Sequence, residues 1–440
     1  MARNSRWSRL AAVCAAIAVA AALPSVSDAQ LAKPKKKRGD DTEQQAASGA
    51  QYSDGFRKQA SKVEPLVKDK KWDEVLAALP ALEAIPDKTP DDDRAIATWR
   101  LQASQGSGDK ELLAAAVENF LAKGYADASQ LSSMHQLLAA HYNNKKDREK
   151  ALHHYRQFVD ATPDIEPDEI ATLGRLYRQN SQFAEAAQAI TRAIELTRSR
   201  GERPSEELYV LRDDVLFKLE NSPERLTNLV ELISDYPDKK YYSNVVRLMQ
   251  ILSQDDRVVM LNAYRVAASD PLGGFDKVGD YLGYADAALI SGSPGEASRG
   301  LERGMKDGVV PGVGTNQTLL QEAKAAVAAD QKTLAAEAAA AAKSAKGDVS
   351  VKVGLGFYST GNYEKAAELV RQGIAKGGVT RADDANLLLG AALMELGRRE
   401  EARSAFDAAL GGAANPQMAG IARLWLARVA RDAAPAPAGG

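Results

Sequence analysis

Cysteine is nearly absent from this chain: 440 residues carry one, Cys14, and it lies inside an N-terminal apolar run. That excludes a disulfide framework and any site built from clustered thiolates, and it leaves the chain free to work in an oxidising compartment without crosslinks. Ala11, Ala12 and Val13 precede Cys14 in place of a leucine-led lipoprotein box, so lipid attachment is not expected. Aromatic residues are also scarce, at 6%, while alanine abounds, which suits closely approached helices better than a β-rich core. Charge of one sign is not in excess. The whole chain has a formal net charge of −2, and residues beyond 29 hold 54 basic against 58 acidic groups, so nucleic acid and anionic lipid exert no general attraction.

Histidine is sparse too, and all four lie close together: His135, His141, His153 and His154. Two metal ligands on one helical face need a spacing of four, whereas the short gaps here are six and one, so no metal is expected; the other reading is a pH-sensitive packing contact. No serine, cysteine or paired-carboxylate arrangement stands out as catalytic, and no cofactor is expected. The segment Asp348 to Phe357 alternates like a strand and runs into Gly354, Gly356 and Gly361, as a dinucleotide loop might, but it fits a helical register as well. Gly106 to Lys110 lacks phosphate-loop spacing and reads as a turn. Asp91, Asp92 and Asp93 follow Pro90 and read as the first turn of a helix, where the dipole favours negative charge.

At the N-terminus Arg3, Arg6 and Arg9 precede an uncharged run from Leu10 to Leu23, then Pro24 and the small-residue end Ser27-Asp28-Ala29. This pattern predicts a secretory signal peptide over residues 1–29, because 14 apolar residues fall short of the roughly 20 that span a bilayer. Export to the periplasm, or secretion, follows as an expectation. Residues 30–53 form a polar linker, basic from Lys33 to Arg38 and then acidic from Asp40 to Glu43, and residues 433–440 form a loose tail.

Between them, small residues recur at a fixed register. Counting from Pro167, Gly174, Ala186 and Ala193 occupy positions 8, 20 and 27, with Ile170, Tyr177, Phe183 and Ile190 as large residues between. The register returns at Ser132 (Ala139, Ala151, Phe158), Val278 (Ala285, Ala297, Gly304), Gly347 (Gly354, Ala366, Gly373) and Asp383 (Gly390, Ala402, Ala409). These units resemble the tetratricopeptide repeat, a 34-residue helix hairpin. The resemblance implies an all-α, right-handed solenoid over residues 54–432. Weaker units fill the gaps, including an alanine-rich pair from Thr315 to Ala345, and the expectation is ten hairpins closed by a capping helix from Pro416 to Arg431.

The resemblance also implies a function class. First helices of successive repeats line a concave groove, with positions 2, 5, 9, 12 and 13 facing inward. Those positions are held by Asn143 and Asn144, by Arg175, Arg178 and Gln179, by Asp286, by Tyr358 and by Glu395, with Leu282, Leu289 and Leu387 among them. Such a mixed surface suits a protein or peptide partner. Gln136 and Ala140 stand where a carboxylate-binding clamp needs lysine and asparagine, so that specificity is not carried over. The expected protein is an exported, non-enzymatic scaffold; the alternatives are a binder of envelope glycan or another polymer and, less favoured, an enzyme.

Overall fold

The computed structural model describes residues 50–254 and 256–433; the signal-peptide reading, most of the linker and the C-terminal tail from residue 434 lie outside the described residues. Twenty helices and no strand are found among the described residues. In chain order they are α1 (Asp54–Lys68), α2 (Trp72–Glu83), α3 (Pro90–Ser107), α4 (Lys110–Ala122), α5 (Ala128–Asn144), α6 (Arg148–Ala161), α7 (Pro167–Gln179), α8 (Phe183–Ser199), α9 (Glu206–Lys218) and α10 (Ser222–Asp235). There follow α11 (Lys239–Ser253), α12 (Arg257–Ser269), α13 (Val278–Ile290), α14 (Pro294–Lys306), α15 (Thr315–Lys343), α16 (Gly347–Ser359), α17 (Tyr363–Lys376), α18 (Ala382–Glu395), α19 (Arg399–Gly411) and α20 (Pro416–Ala433). The chain divides into two compact units, residues 1–193 and 194–440, with the boundary inside α8.

The helices pack pairwise in the solenoid manner expected from the repeats. Nine hairpins share one local device, a left-handed residue just past the first helix: Lys70, Gly108, Lys146, Ser181, Glu220, Gln254, Gly292, Gly361 and Gly397. A positive φ stops the helix without breaking the chain's return, and the next helix starts on a side-chain cap where one is available. Asp147 accepts from the Lys150 N–H at 3.1 Å, and Asn362 does the same for Lys365 at 3.1 Å. At α3 the expected acidic cap is a full capping box between Thr89 and Asp92. Asp91 and Asp92 also accept from the backbone N–H groups of Gln51 and Ser53, at 2.7 and 3.2 Å, so the last residues of the polar stretch are held against α3.

Position 8 of the register is a close approach. A Cβ on Gly174 would sit 2.7 Å from Ile190, on Gly354 2.6 Å from Val370 and on Gly390 2.3 Å from Phe406, each partner sixteen residues further on. Only the absence of a side chain lets the two helices of these hairpins meet at that depth.

Two readings need correction. The expected pair over Thr315 to Ala345 is one helix, α15, of 29 residues, so there are nine hairpins among the described residues rather than ten. Its middle, Asp330-Gln331-Lys332-Thr333, holds neither glycine nor proline and no residue of positive φ, so nothing stops a run of alanine, lysine and glutamate from continuing as helix. The capping helix is present as α20. It packs on α19 as a cap should and also lies against α10, α11 and α12.

Candidate functional site

The expected groove residues divide between the two units. In the first unit they stand at the C-terminal ends of first helices: Asn143 is half-buried and Asn144 exposed on α5, while Arg175 is half-buried and Arg178 and Gln179 are exposed on α7. Asn144 and Gln179 lie 35 residues apart, one repeat, so consecutive hairpins present polar side chains at equivalent places. A recess of about 470 Å³ opens between α2, α3 and α4, floored by Leu76, Ile96 and Ala116 and rimmed by Glu83, Asp93, Arg100 and Lys123. Its charges are of both signs, and Arg100 is already paired with Glu83.

The histidines of this unit come together across α5 and α6 in a way their spacing concealed. The Nδ1 atoms of His135 and His154 lie 3.1 Å apart, and the His154 ring stacks on Tyr142, whose hydroxyl bonds Glu118. Burial, then the neighbouring His135 and His153, push the His154 imidazole down to about 4, and burial followed by His153 lowers His135. Both rings are therefore neutral near pH 7, one donating to the other. Among the described residues no group of three or more His, Cys, Asp or Glu could hold a metal.

In the second unit the geometry departs from an open groove. Asp286 and Glu395 are exposed, but Tyr358 is buried, 3% exposed, between the guanidinium groups of Arg265 at 5.4 Å and Arg299 at 5.8 Å. Tyr358 therefore presents no face to a partner, a correction to the groove reading. The cause is that the unit folds back on itself. Asn262 on α12 donates to Asp384 on α18 at 2.6 Å, and Arg381 pairs with Asp256 at 3.2 Å, contacts that bridge 122 and 125 residues of chain. At the groove positions of α18, Leu387, Ala391 and Met394 are all buried.

A buried ion pair anchors this interior. Arg265 donates to both oxygens of Glu296, at 2.7 and 2.8 Å, and to Asn262 at 2.8 Å, while Tyr284 and Ser293 donate to Glu296 at 3.0 and 2.8 Å. Burial opposes the charge on Glu296, but Arg265 overrides it and holds the carboxyl below its ordinary range. With four donors on two oxygens the carboxylate has no acceptor site left for a substrate. Next to it Gly295 donates to Ser359 Oγ at 2.8 Å and Arg299 to the Ser359 carbonyl at 2.8 Å, tying α14 to the end of α16. Sequence reasoning missed this network because Arg265 and Ser359 come to Glu296 and Gly295 from units that the repeat register treats as separate.

Models of the tetratricopeptide repeat match residues 170–204 and 383–411. No curated protein sequence matches the chain. Among solved structures it is similar to a tetratricopeptide repeat protein from Parabacteroides merdae, 14% identical over 78% of this chain and 100% of that one, with a TM-score of 0.24. It is also similar to the C-terminal part of a repeat-containing protein from Cytophaga hutchinsonii (15% identity, 64% of this chain and 94% of that one, TM-score 0.25). A third is the TPR2AB domain of yeast Sti1 in its pHSP90 complex (9%, 69% and 99%, TM-score 0.23).

Proposed function

We propose that this chain, which carries tetratricopeptide repeats, is a non-enzymatic scaffold that binds protein partners in the cell envelope, after export directed by residues 1–29. The observation that supports the reading best is the repetition of exposed polar side chains on first helices of the first unit, Asn144 on α5 and Arg178 with Gln179 on α7, one repeat apart. An extended peptide or a partner's helix running along such a face meets the same chemistry at each step, and affinity accumulates over shallow contacts rather than in one pocket. Among the described residues no helix is long and apolar enough to cross a membrane.

Crosslinking in intact cells of the source organism, followed by mass identification, tests this. The expected result is enrichment of defined proteins in the envelope fraction, with yield falling at least fivefold when Asn144→Glu and Gln179→Glu are combined. Retention on purified wall material with no protein captured would instead favour the glycan-binding alternative.

A further inference from the structure

The last helix is seated like a ligand. Its apolar stripe, Met418, Ile421, Ala422, Trp425 and Val429, is fully buried, and these positions follow the spacing i, i+3, i+4, i+7, i+11 of a helix laid in a groove. The stripe meets α19 through the stacking of Trp425 on Phe406 at 4.9 Å. It also meets the surface formed by α10, α11 and α12, where Gly420 lies against Leu226. Side chains 159 to 165 residues apart complete the docking. Gln417 donates to the Leu252 carbonyl at 3.0 Å, Arg428 to Ser269 at 2.9 Å and Arg431 to Asp270 at 2.6 Å.

Three features mark this seat as exchangeable. Trp425 Nε1 and Gln417 Oε1 are buried without a hydrogen-bond partner, a penalty that a better-matched occupant avoids. A cavity of about 660 Å³ opens beside the C-terminal half of the helix, between Ala427, Ala430 and Arg431 on one side and Tyr236 and Tyr241 on the other, so water reaches that end. Finally, among the described helices α20 is joined along the chain only to α19, so its lifting from the groove unwinds none of them. What it leaves behind is specific. Asp270 is completely buried and ionised, held by Tyr242 and Arg431, and it requires a cation from whatever replaces α20.

We propose that α20 is a latch occupying in cis a groove on α10, α11 and α12 that takes, in trans, a partner's basic amphipathic helix. That helix carries the same apolar spacing and arginines at i+10 and i+13, the second of them for Asp270. The proposal rests on the scaffold reading above and supplies a second binding surface, closed in the resting chain.

A disulfide staple tests it, since Cys14 is the only cysteine to remove. In a Cys14→Ala background, Leu226→Cys with Gly420→Cys locks the latch when oxidised and frees it when reduced, so one sequence serves as its own folding control. The probe is a fluorescent peptide of residues 416–433, read by anisotropy on the purified full chain. The reduced chain, and an Arg428→Ala/Arg431→Ala chain with its latch loosened, are expected to bind at least tenfold more tightly than the oxidised chain. A peptide with both arginines replaced by alanine should lose at least tenfold. Equal binding to locked and unlocked chains, binding indifferent to the arginines, or no binding to any form overturns the latch. So does a loosened chain that is saturated as a dimer through its own exchanged helix. If the locked chain captures in cells the same proteins as the wild type, the latch fails while the scaffold reading stands; if no form captures any protein, the scaffold reading fails.

Discussion

Replacing Glu296 by alanine is expected to cost about 3–5 kcal/mol of stability in the second unit. The figure follows from what the substitution strands. Arg265 is 2% exposed, and without Glu296 its guanidinium keeps only Asn262 as a hydrogen-bonded acceptor, in an interior where an unpaired charge has no water to turn to. Tyr284 and Ser293 lose their acceptor in the same step. Removing both charges is milder than removing one, because apolar groups of similar volume need no partner. The pair Arg265→Met with Glu296→Leu should therefore recover much of the loss. Urea unfolding followed by circular dichroism reads both effects, and a single-variant cost below about 1 kcal/mol would mean the pair is not buried as described.

The second large effect is expected from one methyl group. A Cβ on Gly295 would lie 1.7 Å from the Ser359 carbonyl oxygen and 2.6 Å from its carbon, and neither backbone atom can rotate away as a side chain can. The start of α14 would have to retreat from the end of α16, losing the Gly295 N–H bond to Ser359 Oγ and disturbing Glu296 one residue on. Overpacking of this kind costs about 1–3 kcal/mol, occasionally more, against a helix-propensity gain of at most about 1 kcal/mol. Gly279 supplies the control, because nothing lies within 4 Å of its Cβ position. Gly279→Ala should be neutral or slightly stabilising while Gly295→Ala lowers the unfolding midpoint clearly; equal midpoints would contradict the close approach.

The hairpins were legible because their determinants are local. Gly174, Gly354 and Gly390 sit where a side chain would strike a residue sixteen positions later, a constraint that returns with every repeat and so can be counted along the sequence. The acidic first turn at Asp91 to Asp93 is legible for the same reason, with Asp92 closing a capping box on Thr89. The closed interior of the second unit was not, since it depends on side-chain contacts between different hairpins, from Arg265 with Glu296 to Asn262 with Asp384, that no periodicity encodes. One signal was nevertheless present. Leu387 to Met394 reads LLLGAALM, apolar around the whole helix, and a helix without a polar face belongs in an interior rather than along an open groove. Leu387 was read as an apolar neighbour within the groove, although it opens that run. The single long α15 shows the converse error, a turn inferred from the repeat length alone where Asp330 to Thr333 hold no residue that would make one.

The central claim is that partners bind along first helices of the first unit. A photo-activatable amino acid placed singly at Asn144 or Gln179, and at the exposed second-helix positions Arg156 and Arg192 as controls, tests it inside the cell. Adducts to the same protein from Asn144 and Gln179, with none from Arg156 or Arg192, are the predicted result; adducts of equal yield from all four positions, or from the two controls alone, would contradict it.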